Sequence, residues 1–255
     1  MKYMLFIIAV GSILLNGCEK DLDTYEGGCG IYFNNNEMLS DTVGVAWGML
    51  PGTQKTQTLT LQVDLYGTVA PYDRSFSIEV VSAEDDTLRA EEGVDYDAFP
   101  LEYVIPANEA STEINVPLLR RENLSEKPRR FTIKLIENEE LRFLYSRQMM
   151  VDSVTYRPLD FQRVIVMTED FPQPGWWSRE GQSRFGDFSQ KKASLICDVM
   201  GIDRETWLGP VGFDNFTQGY LSYVGKAMHQ YLQAQDPPIL DEDGDPMEMG
   251  PDSIN

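Results

Sequence analysis

From Thr58 to Leu65 the apolar residues Leu59, Leu61, Val63 and Leu65 alternate with Thr58, Thr60, Gln62 and Asp64. A two-residue period of this kind turns one face of an extended strand to a core and the other to water. The period recurs in Phe76, Ile78 and Val80, in Leu101, Tyr103 and Ile105, in Ile114, Val116 and Leu118, and in Phe131, Ile133 and Leu135. Gly67, Pro71, Gly93, Pro106 and Asn108 fall between these runs, where turns use their backbone preferences. Short strands at this spacing, with no helical period between them, predict an antiparallel β-sandwich. Gly30–Phe33 and a run from Phe161 to Met167 are expected to complete it over residues 30–170.

After Pro172 and Pro174 the pattern changes: Trp176, Trp177, Phe185 and Phe188 gather ahead of a helical signal. Ser189 is placed to cap a helix from Gln190 to Met200, with Gly201 at its exit and Ala193, Ile196, Val199 and Met200 on one face. A second helix is predicted from about Asp214 to Gln235, with Phe216, Tyr220, Tyr223, Val224, Ala227 and Tyr231 three and four residues apart. Pro237-Pro238 ends it. Residues 171–238 therefore read as a small, aromatic-rich α-helical region, packed against the sandwich or its linker, and 239–255 as a solvated acidic tail. Asp241-Glu242-Asp243-Gly244-Asp245 starts like a calcium loop but lacks the later spaced ligands and the closing bidentate Glu.

The amino terminus follows a different logic. Lys2 precedes the apolar run Tyr3 to Leu15, too short for the roughly 20 residues that span a bilayer, and Asn16 and Gly17 break it. Leu15-Asn16-Gly17-Cys18 resembles a bacterial lipobox, which implies a signal peptide over 1–17 and lipidation of Cys18. The following Glu19-Lys20-Asp21-Leu22-Asp23 resembles the export tag of Bacteroidetes surface lipoproteins. Residues 18–29 are then a lipidated tether, and the protein is expected on the outer face of the outer membrane.

Composition narrows the chemistry. The 255 residues carry 21 basic and 41 acidic side chains, a formal charge of −20. Phosphate backbones need a basic track, and Arg120-Arg121 with Arg129-Arg130 reads as a solvated strand end, so no nucleic-acid partner is expected. The single histidine, His229, argues against imidazole-rich metal sites and against Ser-His-Asp or Cys-His catalysis. Cys29 and Cys197 fall in different units and read as free thiols. No constellation specifies a reaction: no catalytic residue, metal site or cofactor is expected.

Glu92-Gly93-Val94-Asp95-Tyr96, Val104-Ile105-Pro106-Ala107-Asn108, Ile114-Asn115-Val116-Pro117-Leu118 and Phe131-Thr132-Ile133-Lys134-Leu135 together resemble a Calx-β-type immunoglobulin-like module. The resemblance implies an immunoglobulin-like sandwich. In that family acidic loops bind calcium, but the equivalent loop here reads Arg120-Arg121-Glu122-Asn123-Leu124-Ser125-Glu126-Lys127-Pro128-Arg129. Glu84, Asp85 and Asp86 read as an exposed acidic loop. The whole chain resembles a Bacteroidetes lipoprotein family of unknown function, often encoded beside SusC/SusD-type nutrient importers. That resemblance implies a non-enzymatic accessory or ligand-binding component of such an importer, with importer proteins as partners, a peptide or oligosaccharide as ligand, and Trp176, Trp177 and Trp207 as candidate stacking faces. A surface glycan or peptide hydrolase and a structural or adhesion lipoprotein are the alternatives.

Overall fold

The alternation is realised as strands. In order they are β1 (Gly30–Phe33), β2 (Thr42–Ala46), β3 (Thr56–Tyr66), β4 (Arg74–Val81), β5 (Glu102–Ile105), β6 (Ser111–Leu119), β7 (Arg129–Ile136), β8 (Gln148–Met150), β9 (Tyr156–Pro158) and β10 (Gln162–Thr168). The computed structural model describes residues 27–34, 40–82, 86–122, 124, 126–150, 152–212 and 216–254. The predicted signal peptide, Cys18, most of the tether, Glu84 and Asp85 lie outside the described residues.

Two sheets form an immunoglobulin-like sandwich, one ordered β1-β3-β6 and the other β2-β10-β7-β4-β5, with β8-β9 as a separate ribbon. Pairing is antiparallel throughout except where β2 runs parallel to β10. The inward residues predicted from the period, Leu61, Val63, Phe76, Ile78, Ile114, Val116, Leu118, Phe131 and Ile133, are all buried in one core. β8 and β9 escape the periodic reading because each has three residues, too short to display an alternation, and β2 offers only Val43 and Val45 at alternate positions. Asp95 and Tyr96 of the Gly-x-Asp-Tyr signature are structural. Asp95 is fully buried, accepts Glu91 N at 2.8 Å and faces Arg121 Nε at 3.3 Å, while Tyr96 stacks on Phe131 at 4.5 Å.

The carboxyl-terminal part has its own core. It holds α1 (Gln182–Phe185), entered through a π-helical turn, α2 (Gln190–Met200), α3 (Arg204–Leu208) and α4 (Gln218–Gln233). The predicted caps are present: Ser189 Oγ accepts Lys192 N at 3.0 Å, Gly201 exits α2 at φ +63°, and Thr217 caps α4. Val199 is a correction. It is 37% exposed, whereas Lys192, Ala193, Ile196 and Cys197 form the buried face. At 100° per residue, Val199 lies roughly 90° off the centre of that face.

Residues 239–255 are not the solvated tail expected from their charge. Met247 and Met249 are buried in the helical core, and Asp241 accepts Ser189 Oγ and pairs with Lys192 Nζ at 3.5 Å. Gly250 N and Ser253 Oγ both donate to Arg184 O. The acidic residues alternate with anchors, which an average over composition conceals.

Candidate functional site

Beside the end of β1 and the start of β2 lies a cavity of about 290 Å³, lined by Asn34, Thr42, Leu59, Leu61, Glu113 and Arg163 among others. That is just under the ~300 Å³ at which pockets for drug-sized ligands begin, room for one sugar ring or one amino-acid side chain. Behind it lies a network of three guanidiniums and two carboxylates. Arg163, 3% exposed, donates to Leu159 O, Gln162 O and Phe33 O at 2.8–3.1 Å and lies over the Phe33 ring at 5.0 Å. Burial pushes its pKa down to about 10, against the opposing pull of Asp160 and Asp41, so it remains a cation at neutral pH.

The two carboxylates are committed. Asp41, fully buried, takes Arg157 Nη2 at 2.6 Å and Gln162 Nε2; Asp160 takes Arg147 Nη2 at 2.7 Å and Arg147 N at 2.8 Å. Held by cations and donors, both pin the β8-β9 ribbon to the sandwich edge. This arrangement positions backbone. Nothing local in the sequence announces it, because Asp41 and Arg157 lie 116 positions apart.

Trp176, Trp177 and Trp207 are brought together, but inside. They are 4%, 1% and 0% exposed, with Trp176 edge-to-face on Trp207 at 4.9 Å and Trp176 Nε1 donating to Trp207 O at 3.0 Å. These side chains are the core of the helical unit, and the stacking surface expected of them is not available to a ligand. The physical reason is that four helices, two of them only four and five residues long, bury little aliphatic area alone, so large aromatic rings fill the space. Cys18, the predicted lipidation site, lies outside the described residues.

Cys29 and Cys197 are both free, one half-buried beside β1 and the other buried in α2. Burial pushes the Cys197 thiol up to about 12. Among the described residues, no group of three or more His, Cys, Asp and Glu side chains could hold a metal ion. Of the basic strand end, Arg120 is a correction. Its side chain is 7% exposed, paired with Glu169, and donates to Pro51 O at 2.8 Å and Gln54 O at 3.3 Å.

Arg120 belongs to the junction between the two units. There Arg204, 6% exposed, donates to Gly48 O at 2.9 Å and Asp198 Oδ1 at 2.7 Å, while Gly52 N donates to Asp198 Oδ2 at 3.1 Å. Gly48 is required here, since a Cβ would meet Glu169 O at 2.4 Å. The junction lies at the Thr56 end of β3; at the other end Tyr66 pairs with Gly30, where the tether enters.

No curated protein matches the chain. Among solved structures, the apo-form Calx CBD1 domain is 14% identical with a TM-score of 0.37, over 56% of this chain and 99% of that one. Two proteins of unknown function from Bacteroides ovatus are each 18% identical over 54% of this chain, with TM-scores of 0.36 and 0.35; the match spans 43% and 46% of their own lengths. Residues 25–202, running from the tether through the sandwich to the end of α2, match the family described as domain of unknown function (DUF4843), and with well over half of its length matched the chain belongs to that family.

Proposed function

We propose that the protein is a lipid-anchored component of the outer face of the outer membrane, acting without catalysis as an accessory or ligand-binding part of a SusC/SusD-type nutrient importer. The observation that carries this reading is the direction in which the fold runs. The tether enters at the Tyr66 end of β3 and the helical unit is fixed at the Thr56 end, the far end of an 11-residue strand whose length at strand rise is roughly 34 Å. An acyl group on Cys18 would therefore make the sandwich a spacer that holds the helical unit away from the bilayer.

The clamped state of Asp41 and Asp160 favours a binding or display role over a carboxylate-pair hydrolase. The cavity beside Arg163 is large enough for one terminal sugar or side chain of a longer ligand. Three measurements test the reading together: fatty-acid incorporation dependent on Cys18, protease digestion of the helical unit on intact cells, and affinity capture from solubilised outer membranes. Capture is expected to bring down a SusC/SusD-like pair. Repeated recovery of the protein by itself would remove the importer assignment, and absence of acyl label would remove the anchor.

A further inference from the structure

β1 covers only part of β3. Leu65 N donates to Ala110 O and Arg120 N to Lys55 O, so the odd-numbered residues of β3 turn their backbone groups towards β6. Gln62 O accepts Asn34 N, so the even-numbered ones turn towards β1. β1 pairs with Val63 to Tyr66, and beyond Gln62 the same side of the strand presents the amides and carbonyls of Thr60 and Thr58. Among the described residues no strand pairs with them there and no hydrogen bond reaches them from that side. The cavity lies along this stretch, lined by Leu59, Thr60, Leu61 and Gln62 of β3 and by Thr42 and Val43 of β2, itself the last strand of its sheet.

We propose that the open edge of β3 at Thr58 and Thr60 takes an extended basic peptide as an added strand, with one of its aliphatic side chains seated in the adjoining cavity. The inference rests on the ligand-binding reading above and narrows it, selecting a peptide over a sugar. The backbone decides the class. Thr60 Oγ1 is committed to Asn115 Oδ1 at 2.8 Å, so what the edge offers is its main chain. Amides and carbonyls repeating at every second residue match the main chain of another strand, and sugar hydroxyls hold no such register. Alternate side chains of an added strand share one face, and a cavity of about 290 Å³ with Leu59, Leu61 and Val43 in its wall holds one of them. Charge sets the sign. Glu113 is exposed where it lines the cavity, it has no ion pair among the described residues, and the chain's formal charge of −20 draws a cationic partner.

The test uses the isotope-labelled full chain, an acetylated hexapeptide of alternating lysine and valine, and amide hydrogen exchange read by NMR. In the free protein the Thr58 and Thr60 amides are expected to exchange as solvent-exposed groups. With peptide they are expected to slow about tenfold, while Leu59 and Leu61, already bonded to β6, stay as they were. N-methylation of one alternate set of peptide amides is expected to weaken binding about tenfold, and methylation of the other set to be tolerated. Glu113→Gln, altered at an exposed position, is expected to fold normally and to lose affinity several-fold together with most of its salt dependence. Thr58 and Thr60 protected in the free protein would show the edge already paired within the chain and overturn the proposal. Both methylated peptides binding as well as the parent would overturn strand addition. Maltohexaose and cellohexaose form the second arm. If they alone shift the Val43, Leu59 and Leu61 resonances, the cavity is a sugar site and only this inference falls; if neither class binds, the ligand-binding reading falls with it.

Discussion

At the scale of single residues, burial decides chemistry. Cys197 illustrates this, because the thiolate is the reactive form and a thiol pushed up to about 12 is almost wholly protonated at pH 8. Native protein is expected to react with a thiol reagent at Cys29 and to show Cys197 only after unfolding, as read by mass spectrometry of labelled peptides. Arg204 is the converse, a buried cation whose value depends on its partners. Arg204→Ala leaves Gly48 O and Asp198 Oδ1 without the donor that Arg204 supplies and is expected to cost about 2 kcal/mol, measured by urea denaturation. Asp86 adds a pH dependence. A hydrogen bond from Arg130 and another from Leu88 N hold its carboxyl below the usual carboxylate range. The stability it contributes is therefore present above that range and lost as pH falls through its lowered value. Denaturation midpoints are expected to decline from pH 5 towards pH 2, and the Asp86→Asn variant to decline less steeply.

Elements were legible wherever a period had room to repeat. β3, β4, β6 and β7 each hold eight residues or more, and their inward faces follow from alternation alone. The starts of α2 and α4 were equally local, since a cap is a contact between residues three positions apart. Thr217→Ala is expected to cost about 1 kcal/mol in thermal or chemical denaturation; Ser189→Ala is expected to cost more, because that hydroxyl also donates to Asp241. The carboxyl-terminal stretch was misread because its charges outnumber its anchors. A chain ending after Pro238 uncovers the surface that Met247 and Met249 occupy, and each buried Met side chain contributes about 1.5–3 kcal/mol. Its near-ultraviolet tryptophan dichroism is expected to weaken, with the far-ultraviolet β signal retained.

At the scale of the whole molecule there are two apolar cores and a polar seam. Trp47 and its neighbours belong to one core and Trp176, Trp177 and Trp207 to the other. Across the seam run the Arg204–Gly48 and Asp198–Gly52 hydrogen bonds, with the Arg120–Glu169 pair bracing the loop before β3. If the seam couples the cores, calorimetry of the native chain gives one transition and the Arg120→Ala, Arg204→Ala double variant gives two. By itself the sequence determined the strands with a long period, the helix caps, the change from sheet to helix near Pro172 and the absence of a basic track, because each of these depends on neighbours within a few positions or on composition. Only the tertiary structure decided that three tryptophans are core and not ligand platform, that Asp41 and Asp160 are clamped by arginines, and that tether and helical unit lie at opposite ends. A side chain's burial and partners are set by residues that may be a hundred positions away, and no local period encodes them.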